Sequence, residues 1–184
     1  MTNKYFTTPR GIASYPKLIK PDTKFNPEGV YSVALVIPKD DASELISQIE
    51  EIFVDEFGPK KLSELQAPYK EDENGDYVFK FKSANKPQLF DAAGTAISPR
   101  ADLKLGSGSV LKVKGSIKPI MVQKKYYATL YINGVQLIDL VEFGGAGFAA
   151  EEGSYKAEND TAGDDAPQED APKSSGDAPK AEDF

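Results

Sequence analysis

Val110-Leu111-Lys112-Val113-Lys114-Gly115-Ser116-Ile117-Lys118 alternates residue by residue. Leu111, Val113, Gly115 and Ile117 fall on one side, and Lys112, Lys114, Ser116 and Lys118 on the other. Successive strand residues point to opposite faces, so this is a strand with one apolar and one basic face. Gly115 interrupts the apolar face and marks a bend of the kind that curves a sheet into a barrel.

The neighbouring segments carry the same signal. Lys124-Lys125-Tyr126-Tyr127 is a basic, aromatic corner. Residues 128–132 and 135–140 read as strands, with Asn133-Gly134 as a tight turn or bulge between them. Upstream, residues 77–83 set Tyr77, Phe79 and Phe81 on one face against Val78, Lys80 and Lys82 on the other. Residues 88–91 form a short extended piece. Residues 30–37 are apolar on both faces apart from Ser32, which predicts a central strand. Residues 12–19 predict another strand, with Pro16 at an edge or bulge. Residues 1–9 read as an arm.

A helix is expected over residues 40–57. Leu45, Ile46, Ile49, Ile52, Phe53 and Phe57 recur at helical spacing and make one buried face. Asp41 with Glu44 has the spacing of a capping box, and Gly58-Pro59 ends the helix. Residues 60–66 can add a helical turn. The expected fold is mainly β: a small barrel-like domain of five or six antiparallel strands with one capping helix.

The domain expected to form this barrel is 1–143, and residues 144–184 are a separate segment. That segment has 41 residues, mostly acidic residues, Ala, Gly, Pro and Ser. It is too polar to bury a core and is expected to be disordered. Residues 1–140 hold 19 Lys and Arg against 17 Asp and Glu, whereas residues 141–184 hold 3 against 12. The net of −7 therefore hides a mildly basic body and a strongly acidic tail. The tail closes on Glu182, Asp183 and Phe184, where a ring and a free carboxylate make a compact docking tag.

Composition narrows the chemistry. There is no Cys and no His, which removes the thiolate nucleophile and the commonest general base and metal ligand. Asp72, Glu73, Asp76, Asp91 and Asp102 could hold Mg²⁺ for a nuclease, but three of them share one turn that reads as a charged hairpin tip. Gly106-Ser107-Gly108-Ser109 lacks the Lys-Ser/Thr ending of a phosphate loop. The expectation is no enzyme, no metal and no cofactor. The start lacks the apolar run of a signal peptide and no window approaches a membrane span, so an intracellular location is expected.

Single-stranded nucleic acid needs cations for phosphates and flat rings for bases. Lys80, Lys82, Lys86, Arg100, Lys112, Lys114, Lys118, Lys124 and Lys125 are the candidate cations. Tyr126, Tyr127, Tyr77, Phe79 and Phe81 are the candidate rings. Alternation alone does not say which face of 77–83 is wet, so its three aromatics suit the core equally. A β domain that binds protein, carrying a merely solubilising tail, is the alternative reading.

The strand over 110–118, the run Leu130-Tyr131-Ile132-Asn133-Gly134-Val135-Gln136 and the close in Glu182-Asp183-Phe184 together resemble the single-stranded DNA-binding proteins of tailed bacteriophages. The resemblance implies one OB fold, action in replication, recombination and repair, and residence in the host cytoplasm. It implies that Phe184 and its acidic neighbours dock on replication proteins, chiefly DNA polymerase and helicase-primase, and screen the DNA groove. A homodimer is a candidate assembly. The helix follows the second strand here, not the third as in the general OB pattern. A flexible coil of this length spans roughly 35 Å, against a radius of gyration of roughly 14 Å for the body, so the tail could cross the domain.

Overall fold

The computed structural model describes residues 4–98 and 103–142. Ten strand segments and one α-helix make up the order β1 (Tyr5–Thr7), β2 (Gly11–Asp22), β3 (Val30–Ile37), α1 (Lys39–Phe57), β4 (Leu65–Gln66), β5 (Tyr69–Glu71), β6 (Tyr77–Ser83), β7 (Gln88–Phe90), β8 (Ala96–Ile97), β9 (Val110–Val122) and β10 (Lys125–Asp139). A 3-10 helix, Pro59–Glu64, follows α1. Among the described residues no helix is long and apolar enough to cross a membrane.

Five strands close a ring. β2 pairs with β3, β3 with β6, β6 with β10, β10 with β9, and β9 returns to β2 through Gly11↔Leu111 and Ile12↔Val110. The fold is thus mainly β, an OB-like barrel with α1 as its cap. One seam, β6–β10, runs parallel, with Leu130↔Phe81 and Tyr131↔Lys82 in register. An odd-membered ring cannot alternate direction throughout, so a five-stranded version of the expected antiparallel barrel needs such a seam.

The strand interiors follow the alternation. Leu111, Val113 and Ile117 of β9 point inward and are buried, as are Val33, Leu35 and Ile37 of β3. Gly115 also lies inside, and a Cβ there would stand 1.8 Å from the Tyr131 carbonyl oxygen and 2.9 Å from the Phe6 ring. Close approach of β10, beyond any bend, is what excludes a side chain. Gly115→Ala is expected to destabilise the fold by about 3 kcal/mol, the upper end of ordinary overpacking. Urea unfolding measures it, and an unchanged midpoint would refute the tight contact.

Three local expectations are revised. Residues 1–9 are not a free arm over the described part. Phe6 is buried, with its ring 5.7 Å from that of Phe81. The Thr8 Oγ1 accepts the Val113 N–H at 2.9 Å, so the segment from β1 into β2 follows β9. Asn133-Gly134 does not separate two strands. β10 runs through it with a register shift between Ile132 and Gly134, the bulge alternative. α1 starts at Lys39, with Pro38 as its N-cap and no side-chain cap. That places Asp41 within the first turn, where it favours the helix dipole but cannot cap.

The apolar stripe of α1 behaves as read. Ala42, Leu45, Ile49, Ile52 and Phe53 are buried. The Pro16 irregularity is present as well. β2 and β3 shift register between Ser14 and Lys17, and Tyr15 within that bulge takes φ +47°. A bulky side chain in the left-handed region carries roughly 1–2 kcal/mol of strain.

Candidate nucleic-acid interface

The outward positions of the five ring strands form continuous rows. One row reads Lys17 on β2, Ser32 on β3, Lys82 on β6, Tyr131 on β10, Ser116 on β9 and Tyr5 on β1. Beside it, Ser14 pairs with Ala34 and Ala34 with Lys80. On the β9–β10 side, Lys118 pairs with Thr129 and Ile120 with Tyr127. Lys80, Lys82 and Lys118 are exposed. Among the described residues the lysine ion pairs are Lys39–Glu71 and Lys61–Glu64, so the cations of this face remain available to an anion. Small residues on β3, cations on β6 and aromatic rings on β10 thus share one solvent-facing surface.

Such a surface can hold a polyanion with flat bases: ammonium groups meet phosphates and tyrosine rings meet bases. Among the described residues no group of three acidic side chains could hold a metal ion. The Asp72 carboxylate is occupied by its turn, accepting the N–H groups of Asn74 and Asp76 at 2.8 and 3.0 Å.

The fold has solved counterparts. Over 80% of this chain and 99% of the other, it matches gp2.5, a single-stranded DNA-binding protein encoded by bacteriophage T7, with TM-score 0.65 and 25% identity. Its structural relatives are bacteriophage single-stranded DNA-binding proteins. The single-stranded DNA-binding protein of bacteriophage Enc34, solved in complex with single-stranded DNA, matches 76% of this chain and 88% of its own with TM-score 0.60 and 15% identity. No protein-family model and no curated protein sequence matches the chain.

The face includes only part of what the sequence suggested. Lys80, Lys82, Lys118 and Tyr127 lie on it. Lys114, exposed, continues the outer side of β9 between Thr7 and Gly134. Lys124 and Lys125 are exposed at the tip of the β9–β10 hairpin, and Lys86 is exposed in the loop after β6. Arg100, Glu182, Asp183 and Phe184 lie outside the described residues.

Five suggested residues do not join. Phe79 and Phe81 are 0% and 1% exposed, on the inner side of β6, so neither ring can meet a base. Tyr77 shares that side and packs against the core, its ring 5.9 Å from that of Tyr69. Burial, then the adjacent Glu50 carboxylate, raises the Tyr69 hydroxyl pKa well above its usual value. Tyr126 points under α1, with its ring 5.0 Å from Phe57 and 6.2 Å from Phe53 and the Lys61 ammonium 5.1 Å from its centroid. Lys112, half-buried, lines a cavity with Asp40, Asp41 and Glu44 at the start of α1, away from the Ser32–Lys82–Tyr131 row.

Other residues of the surface escaped the sequence reading. Tyr131 follows Tyr127 at strand periodicity, which was a readable signal. Phe25, in the β2–β3 loop, is 89% exposed with the Lys24 ammonium 5.3 Å from its ring centroid. The signal there was a Lys-Phe pair in a Pro-rich turn. Lys17 and Ser32 depend on register between separate strands, which local sequence does not contain.

Proposed function

We propose that this chain binds single-stranded DNA without sequence preference and without catalysis. The observation that carries the reading is the outward row in which Lys82 stands between Ser32 and Tyr131. The likeness to the T7 and Enc34 proteins, both named for single-stranded DNA binding, supports it. Stacking is tolerant of base identity because every base has a flat face. A titration of fluorescein-labelled oligo-dT and of a duplex of equal length at two salt concentrations tests the reading. Tighter binding of the single strand, weakening with salt, is expected. Equal binding of both, or none, would refute it.

The proposed setting is phage DNA replication, recombination and repair in the host cytoplasm. The acidic tail supplies two further roles: its Glu182-Asp183-Phe184 end recruits replication proteins such as DNA polymerase and helicase-primase, and its charge competes with DNA for the lysine face. The support is charge alone. Residues 141–184 carry 12 acidic and 3 basic residues, and tethering keeps them at an effective concentration on the order of millimolar. Removing residues 144–184 is therefore expected to tighten oligo-dT binding, most at low salt, where charges are least screened. Identical affinities for the intact and shortened chains across a salt series would contradict the competition.

A further inference from the structure

Among the described residues Tyr15, Gln123 and Lys124 are the non-glycine residues with positive φ, and Tyr15, the bulkiest of the three, is 81% exposed. At that exposure its ring gains little from packing to offset a φ of +47°, and Gly or Asn would accommodate the bulge with less strain. The bulge is braced. The Tyr15 N–H donates to the Ser107 Oγ at 2.9 Å, Gly108 N–H to the Ala13 carbonyl at 2.8 Å, and Ala13 N–H to the Ser109 carbonyl at 2.8 Å. The Gly106-Ser107-Gly108-Ser109 turn, unsuited to a phosphate, thus fixes the chain that presents this ring.

The position matters more than the strain. Tyr15 lies between Ser14 and Lys17, whose partners on β3 are Ala34 and Ser32. Those two pair in turn with Lys80 and Lys82 on β6. Neighbouring strands lie about 4.8 Å apart, so β2 and β6, on either side of β3, lie about 10 Å from each other. Only a methyl and a hydroxymethyl rise from β3 between them. The result is a shallow trough floored by Ala34 and Ser32, with Lys80 and Lys82 along one wall and Lys17 along the other, where the exposed Tyr15 occupies the bulge next to it.

We propose that Tyr15 is a base-stacking residue, a second platform across β3 and β6 from Tyr131, and that Ser107 is its positioning residue. The ligand is a nucleobase of a single strand whose phosphates lie beside Lys17, Lys80 and Lys82. This rests on the single-stranded DNA reading above. It explains why an aromatic residue stands where the backbone favours glycine.

Tyr15→Gly, Tyr15→Phe, Ser107→Ala and Tyr131→Ala, each in the full chain, are titrated with labelled oligo-dT and unfolded in urea. Tyr15→Gly is expected to weaken binding by about fivefold or more, the low end of one lost stack. Its unfolding midpoint should not fall, because the strain is released. Tyr15→Phe should bind like the natural chain, and Ser107→Ala should lose less than Tyr15→Gly. Unchanged affinity in Tyr15→Gly, with Tyr131→Ala weakened, overturns this proposal alone. So does a loss of affinity accompanied by a lower midpoint, which marks a structural role. A natural chain that does not bind oligo-dT ends the underlying reading as well.

Discussion

Tyr131→Ala is expected to weaken oligo-dT binding by about 1–3 kcal/mol, roughly 5- to 150-fold. Tyr131 is placed where the effect should be largest, in register with Lys82 on one side and Ser116 on the other. Its side chain lies on the outer side of β10, opposite the buried Leu130 and Ile132, so losing the ring should leave the core intact. Adding Lys82→Glu removes an adjacent cation and introduces repulsion. It should lower affinity further and flatten the salt dependence by about 0.7 in slope for each phosphate that is no longer neutralised. Lys112→Gln is the contrasting variant. Lys112 lines the cavity with Asp40, Asp41 and Glu44, away from the proposed row, so affinity should stay within about twofold. A Tyr131→Ala chain that binds normally while Lys112→Gln binds poorly would relocate the interface to the start of α1.

Phe81→Ala is expected to destabilise the barrel by about 3–5 kcal/mol, the usual result of truncating a buried aromatic. The ring is 1% exposed, lies 5.7 Å from Phe6 and 6.4 Å from Phe79, and sits on the inner side of the β6–β10 seam. That seam has two registered pairs, so few backbone bonds offset a lost core ring there. Urea unfolding reads the loss. Phe81→Leu, which keeps most of the volume, should cost less and retain oligo-dT affinity wherever the chain remains folded. A stable Phe81→Ala chain with weakened DNA affinity would instead make Phe81 a base-stacking residue.

Much of the barrel was legible because its strands are half-buried. The alternation over 110–118 survives intact in β9, and the helical stripe from Leu45 to Phe57 lies on α1. The errors over the aromatic residues share one cause. Adjacent strand residues face opposite ways, so exposed Lys80 and Lys82 require Phe79 and Phe81 to point inward; both sets could not meet DNA. The same applies to Tyr126 and Tyr127, of which α1 takes the first. The capping box failed because Pro38, three residues earlier than Asp41, already begins the helix. The interface itself is a property of register. Ser32, Lys82 and Tyr131 are far apart in the chain and become neighbours only when the ring closes. Tyr15 depends on a bulge that Pro16 hinted at, though which ring it exposes was not written locally.

Amide chemical-shift mapping of the intact chain during titration with oligo-dT tests the central claim most directly. The largest changes are expected along Lys17, Ser32, Lys80, Lys82 and Tyr131, with Lys112 and the start of α1 little affected. Changes centred on Asp40, Asp41 and Lys112, with the Ser32–Lys82–Tyr131 row silent, would contradict it.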